Sequence, residues 1–383
     1  MTAFSFTTTR SLICEPGSSM RLPALAAELG MQRPCIVTDG GILGSGLLTP
    51  IDAAFKDAGM PVSLFSDVVA DPPESVVQAA LAAARDGDCD GVIGFGGGSA
   101  MDTAKLVALL LTGEQTLAEV YGVGNAKGQR LPLIQVPTTA GTGSEVTPIA
   151  IVTTGETTKQ GVVAPQLLPD LAVLDANLTL GLPAPVTAAT GIDAMVHAIE
   201  AYTSRHRKNP YSDMLAREAL RLLSANIEIA VHDGSNVAAR SNMLLGAMLA
   251  GQAFANAPVA AVHALAYPLG GIYHIPHGLS NALVLPHVMR FNAPAAREAY
   301  SELAPLILPA GAPVSDDPVE QLIDYLVALA AKVGLPPRLR DVNVPEDAIA
   351  RLAADAMLQQ RLLVNNPRDV SEADAIAIYK AAW

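Results

Sequence analysis

Along the first 180 or so residues, short apolar runs alternate with longer Ala/Leu stretches of helical period. The runs are PCIVTD (34–39), PVSLFSDVV (61–69), GVIGFGG (91–97) and LPLIQVPTT (131–139), with ESVVQAALAAARDG (74–87) and MDTAKLVALLL (101–111) as the clearest helical stretches between them. Strand–helix–strand alternation predicts parallel strands joined by helical crossovers, hence an open α/β sheet. PIAIVTT and KQGVVAP around GETT predict an appended β-hairpin, and LAVLDANL (171–178) the last strand. After GLPAPVT (181–187) the pattern changes to long helices, predicted over 187–204, 210–230, 236–257, 260–271, 278–290, 294–308, 317–333, 346–365 and 371–382. The fold class read from this pattern is α/β plus all-α, with an α/β domain at 1–183 and an all-helical domain at 184–383. The cleft between two such domains is the expected place for a site.

Composition narrows the function classes. The chain has 383 residues, longer than one core usually grows, and is 50% hydrophobic and 16% charged, a globular composition. A formal net charge of −13 argues against a nucleic-acid surface or an anionic membrane as partner. RHRK (205–208) is the only tight basic cluster and reads as a solvated helix end. The first residues lack the apolar segment of a signal peptide, and no run reaches the roughly 18 residues that span a bilayer, so a cytoplasmic protein is expected. Cys14, Cys35 and Cys89 form no CxxC pair and read as small buried hydrophobes.

Candidate chemistry falls in four stretches. GFGGGSAMDTAK (94–105) sets Gly96, Gly97, Gly98 and Ser99 between a strand and a helix, where the backbone can approach a phosphate and a helix N-terminus favours the anion. It is not the GxGxxG fingerprint, and a structural turn explains it equally well. PTTAGTGSEVTP (137–148) gathers Thr138, Thr139, Thr142 and Ser144 after a strand, which suits a nucleotide or an ordinary turn. In GIDAMVHAIEAYTS (191–204), Asp193 and His197 lie four residues apart and share a helix face. AVHALAYPLGGIYHIPHGLSNALVLPH (261–287) carries four of the seven histidines, His263 and His277 among them. Any one such His is commonly a core residue, but one carboxylate and three imidazoles together suit Fe²⁺ or Zn²⁺.

GGGSAMDTAK, PTTAGTGSEVT, GIDAMVHAIEAY and HALAYPLGGIYHIPHGLSNALVLP, in this order and across nearly the whole chain, resemble the signatures of the iron-containing (group III) alcohol dehydrogenase family. The resemblance implies a Rossmann-like dinucleotide-binding domain followed by a helical metal-binding domain, a fold shared with dehydroquinate synthase. It implies Fe²⁺, or else Zn²⁺, held by Asp193, His197, His263 and His277. It also implies NAD contacts at Gly97, Gly98, Ser99, Asp102, Thr138, Thr139, Thr142 and Lys159. Asp39, at a strand end, occupies the position that reads the adenosine ribose; a carboxylate there accepts from the diol and repels a 2′-phosphate, favouring NAD over NADP.

The chain departs from the family pattern twice. Asp71-Pro72 stands where many members have Asn-Pro, and Tyr267, four residues after His263, stands where many have a further His that helps move protons. Tyrosine there is similar to the pattern of hydroxyacid–oxoacid transhydrogenases, which keeps that activity open and makes Tyr267 a candidate catalytic residue. The implied activity is reversible hydride transfer between an alcohol, or its aldehyde or ketone, and NAD by a homodimer, with the metal polarising the substrate oxygen. A lyase of the dehydroquinate-synthase kind and a non-catalytic metal- and nucleotide-binding protein are the rival functions. The motif region has no Arg to clamp a carboxylate, and no Lys/Arg-rich phosphate site is evident for the lyase. His206, His232 and His287 read as surface or helix-end residues, His274 as a candidate cleft residue, and Phe254 as either an apolar wall for substrate or core.

Overall fold

In the computed structural model, which describes residues 3–155, 158–313 and 315–383, nine strands occur among the described residues. They are β1 (Ser11–Cys14), β2 (Pro34–Asp39), β3 (Ser63–Val68), β4 (Gly91–Gly96), β5 (Gly122–Val123), β6 (Leu133–Pro137), β7 (Ile149–Thr154), β8 (Thr158–Val163) and β9 (Leu171–Leu174). Six form an all-parallel sheet in the order β1-β9-β6-β4-β2-β3. The other three form a small sheet in which β7 and β8 pair antiparallel from Ile149 opposite Val163 to Thr154 opposite Thr158. The predicted hairpin turn includes Glu156 and Thr157, which lie outside the described residues.

Alternation along the strands sorts side chains onto two faces. Ile36, Ile93, Phe95, Ile134, Val136 and Val173 enter one core, whereas Cys35, Val37, Val92 and Leu133 enter another. Because both faces are covered, β2, β4 and β6 read as continuous apolar runs. β1, which the apolar pattern misses, is a four-residue edge strand whose residues are mostly exposed, so no period can show in it. Of the cysteines, Cys35 and Cys89 are buried but Cys14 is exposed, against expectation.

The strand order matters for function. From β2 the chain moves outward to β3, then returns to place β4 on the other side of β2. Loops leaving β2 and β4 therefore diverge and open a crevice at the carboxyl ends of these strands, the usual ligand position in an open parallel sheet. Asp39 ends β2 and Gly96 ends β4.

The chain packs as two units, Thr8–Gly181 and Leu182–Trp383, the latter joined by the N-terminal segment up to Thr7. The start of the chain thus differs from the expected 1–183 assignment. Thr7 donates its N–H to Asn256 Oδ1 (2.8 Å) and accepts from Asn256 Nδ2 (2.9 Å), while Phe4 and Phe6 lie against the Tyr211 ring. The main helices of this unit are Ala184–Thr203, Pro210–His232, Val237–Asn256, Ala261–Tyr273, His277–Ile307, Pro318–Lys332 and Glu372–Ala382. The two helices predicted over 278–308 run as one element with a non-helical Ala296 two residues after Pro294, and the helix predicted over 346–365 breaks near Gln359, whose ψ of 47° leaves the helical range. Among the described residues, no single helix is long and apolar enough to cross a membrane.

Candidate active site

Helix Ala184–Thr203 is buried along nearly its whole length and packs against Pro210–His232, Val237–Asn256 and His277–Ile307. A helix apolar all round has no solvent face for polar residues, so Asp193 and His197, 2% and 4% exposed, must satisfy each other or a ligand. His263 sits in the first turn of helix Ala261–Tyr273, and His277 opens the helix that follows the extended Pro276. Gly278 makes the approach possible: a Cβ there would lie 2.3 Å from the Ala189 carbonyl oxygen and 3.2 Å from the Asp193 Cβ.

Four donor atoms, one each from Asp193, His197, His263 and His277, consequently lie within 4.8 Å of one another. The Nε2 atoms of His197, His263 and His277 are 4.0, 4.0 and 3.7 Å from Asp193 Oδ1. A first-row ion bonded tetrahedrally at about 2.0–2.2 Å spaces its donors by roughly 3.3–3.6 Å, so the Asp193–His distances need to contract by a few tenths of an ångström and the widest donor pair by up to about one ångström for the set to close on a cation. Burial raises the cost of charging Asp193, but the His197, His277 and His263 rings and the Asn281 amide outweigh it and hold the carboxyl below its usual range. His277 alone of the four has appreciable exposure, 32% of its side chain.

Two further residues at this cluster were missed in the sequence. Glu200 is buried, with Oε2 2.6 Å from His263 Nδ1. Asn281 donates from Nδ2 to Asp193 Oδ1 (2.6 Å), and the same atom lies 3.2 and 3.3 Å from the Nε2 atoms of His263 and His277; its Oδ1 is buried with no hydrogen-bond partner. Spacing gave the clue to both, since Glu200 follows Asp193 by seven residues and Asn281 follows His277 by four, each on the ligand face of its helix.

Phe254 stacks on the His197 ring, centroids 4.4 Å apart, and the half-buried Tyr267 ring lies 5.9 Å from that of His277. His274 is an exposed helix-ending residue in the left-handed region (φ 55°). His206 and His232 are exposed, whereas His287 is half-buried within a helix, and burial with Arg290 nearby lowers its pKa to about 4.

In the α/β unit, the candidate nucleotide residues meet at the carboxyl edge of β2, β4 and β6. Gly97 and Gly98 begin helix Gly98–Thr112, leaving its first-turn N–H groups for an anion. A Cβ on Gly98 would lie 2.8 Å from Thr142 Cγ2, and one on Gly97 3.7 Å from Thr139 Oγ1, so the hydroxyl-rich loop lies against the helix start. Thr138 donates its backbone N–H to the Gly96 carbonyl, and its Oγ1 is buried without a hydrogen-bond partner, which fits a site awaiting a polar ligand. Ser99 belongs to the same helix start, its carbonyl accepting from Thr103 Oγ1. Asp39 caps helix Gly40–Ser45 with Oδ1, which accepts from the Ile42 N–H (3.0 Å).

Two of the expected cofactor residues also have partners within the protein. Asp102 accepts from the Ile151 N–H (2.9 Å) and Ser144 Oγ (2.5 Å), and fully buried Lys105 donates to Ser144 Oγ (2.7 Å), Thr147 Oγ1 (3.2 Å) and the Ile149 carbonyl (2.6 Å). This network ties the helix to the hydroxyl loop and the hairpin. Lys159 pairs with Asp71 Oδ1 at 2.6 Å, so the Asp that replaces the family's Asn is a salt-bridge partner.

Known proteins fit the same division. The family model for iron-containing alcohol dehydrogenase matches residues 9–176, and that for the C-terminal region of the Fe-containing alcohol dehydrogenase family matches 187–383. Long-chain-alcohol dehydrogenase 1 of Geobacillus thermodenitrificans is 42% identical over 360 residues, covering 93% of this chain and 91% of its own. The crystal structure of a 1,3-propanediol oxidoreductase superposes with a TM-score of 0.95 at 35% identity over all of both chains. Sulfoacetaldehyde reductase from Bifidobacterium kashiwanohense, solved in complex with NAD⁺, gives 0.89 at 30% identity, covering 100% of this chain and 99% of its own. With both halves matched by one family's models and relatives aligned almost end to end, the chain belongs to the iron-containing alcohol dehydrogenase family.

Proposed function

We propose that the protein catalyses reversible hydride transfer between an uncharged or weakly polar alcohol and NAD, with Asp193, His197, His263 and His277 holding a divalent iron. The observation that carries this reading is the convergence of four donor atoms within 4.8 Å in a buried setting. When bound, the ion supplies Lewis-acid polarisation of an alcohol oxygen, and NAD supplies the hydride acceptor. Asp193 contributes the negative charge, and the neutral imidazoles contribute lone pairs. Phe254, stacked on His197, keeps water from that side of the cluster.

At the α/β edge, the first amides of helix Gly98–Thr112 receive the pyrophosphate, and the hydroxyls of Thr138, Thr139 and Thr142 complete its hydrogen bonding. Asp39, with Oδ1 engaged as a helix cap, presents Oδ2 to the ribose diol and disfavours a 2′-phosphate. Tyr267 shapes the pocket beside His277; a phenol with a reference pKa near 10 is a poor base at neutral pH. Stretches 184–204 and 261–287 contain neither Lys nor Arg, which favours an uncharged substrate over a hydroxyacid. The names of the alcohol and propanediol relatives support the same choice. A cytoplasmic homodimer completes the reading on family resemblance alone.

The test is an iron-reconstituted enzyme assayed with primary alcohols, diols and hydroxyacids against NAD and NADP. NADH formation with alcohols or diols is expected. Turnover confined to hydroxyacids would transfer the protein to the transhydrogenase reading, and a preference for NADP would overturn the role of Asp39.

A further inference from the structure

Glu200 stands on the same helix face as two of the candidate ligands, seven residues beyond Asp193 and three beyond His197. It is 4% exposed, and among the described residues its only ion-pair partner is His263. An anion buried so completely is costly unless hydrogen bonds offset the loss of water. Both carboxylate oxygens are engaged: Oε1 accepts from the Val262 N–H at 2.7 Å, and Oε2 is 2.6 Å from His263 Nδ1.

These contacts act together. Val262 belongs to the first turn of helix Ala261–Tyr273, whose N-terminal amides have no intrahelical acceptor and whose preceding residue, Ala260, supplies no side-chain cap. Glu200 serves as that cap from another helix and sets an anion at the positive helix end. A carboxylate accepts from Nδ1–H, so it selects the tautomer whose Nε2 keeps a lone pair, and that Nε2 faces Asp193 and Asn281. Glu200 also adds a second negative charge to that of Asp193, which matches a divalent cation among neutral imidazoles.

We propose that Glu200 is a positioning residue of the metal centre, holding His263 in the tautomer and orientation that ligate the ion and completing the charge balance of the buried site. This rests on the metal reading above. A plain helix cap is the competing role, and Glu200→Gln separates the two. The amide keeps the size of the side chain and an acceptor for Val262, but loses the charge and turns a donor toward Nδ1.

Affinity for Zn²⁺ and Co²⁺ would be measured by chelator competition, alongside the visible spectrum of the Co²⁺-loaded protein, the melting temperature of the metal-free protein and NADH binding. Glu200→Gln is expected to weaken metal binding by about 10–100-fold and alter the cobalt spectrum, with NADH binding unchanged. Glu200→Asp, which keeps the charge, should regain most of the lost affinity and also serves if the Gln variant does not fold. Metal affinity within about threefold of wild type and an unaltered spectrum in Glu200→Gln, or an Asp variant that binds metal no better than Gln, would overturn the proposal. His263→Ala is the control: if it binds metal as well as wild type, the metal reading itself falls, independently of Glu200.

Discussion

Asp193 in the helical unit and Glu145 in the α/β unit are buried to the same 2% exposure, yet their surroundings move them in opposite directions. Burial disfavours the charge at both. Around Asp193, three imidazoles and the Asn281 amide overcome burial and favour the carboxylate. Around Glu145, burial prevails over its own backbone hydrogen bond and the Lys105 cation, and its pKa rises to about 7. The difference separates two ways of building a site. The helical unit gathers side chains whose charge and lone pairs converge on one point, a design that a cation completes. The α/β edge offers backbone amides and short hydroxyls, and its buried ions hold a loop in place. Substitutions should therefore act all-or-none in the first and by degrees in the second.

The sharpest break in this contrast comes from the ligands. Replacing His263 or His277 with Ala should strip the metal and abolish activity while the protein stays folded, because the helices that carry these rings are held by many buried apolar residues of their own. Elemental analysis showing full metal occupancy in both variants would end the assignment. The matching change on the other side is Gly98→Ala. Its new Cβ would lie 2.8 Å from a short, branched Thr142 side chain that cannot swing far aside, so the loop must move. The KM for NAD should rise about tenfold at unchanged metal content. Unaltered NAD affinity would show that the helix start is not the phosphate site.

The two sites were also unequally legible. Asp193 and His197 announce themselves by spacing, because a carboxylate and an imidazole one turn apart interrupt an apolar helix. The parallel sheet was readable because strands covered on both faces leave unbroken apolar runs such as GVIGFGG. Glu200 lay inside a motif already noted, but its role depends on Val262 and His263, some sixty residues away, and no local pattern encodes that contact. Asp102, in the Gly-rich stretch, likewise has contacts that no local pattern encodes, since folding brings Ser144 and Ile151 to its carboxylate. Cys35 and Cys89 look unrelated in the chain, yet both are buried in one core. Pairings of this kind arise from strand order, which alternation of elements leaves open.

Glu145 allows a direct test of the two buried carboxylates through pH. In the unfolded chain the group loses its proton near pH 4.5, whereas in the folded protein it keeps it until about pH 7. The folded state binds the extra proton in that window, so this group's contribution to stability falls as pH rises from about 4.5 to 7 and is level above. Glu145→Gln removes the titration. The stability of the variant relative to wild type should climb through that window by about 3 kcal/mol, followed by denaturant unfolding at several pH values. A difference independent of pH would mean that Lys105 and the loop keep Glu145 charged in the folded protein, as the imidazoles do Asp193.

The smallest effect is expected at Tyr267, where the chain departs from the His of many relatives. Its ring sits 5.9 Å from His277, close enough to border whatever the four donors hold. A phenol can donate a hydrogen bond there, but its ordinary pKa near 10 suits it poorly to accept a proton at neutral pH, so water and the cofactor ribose are better routes for the proton. Tyr267→Phe keeps the ring and its packing and removes only the hydroxyl. If the ring is a pocket wall, kcat should stay within about threefold of wild type, with metal content and NAD binding unchanged. If the hydroxyl takes part in proton transfer, the loss should reach roughly 10²–10⁴-fold at the same metal content. Steady-state rates of the iron-loaded variant decide between them. A large loss would extend the all-or-none behaviour of the metal cluster to its border, while a small one confines it to the ligands and the groups that hold them.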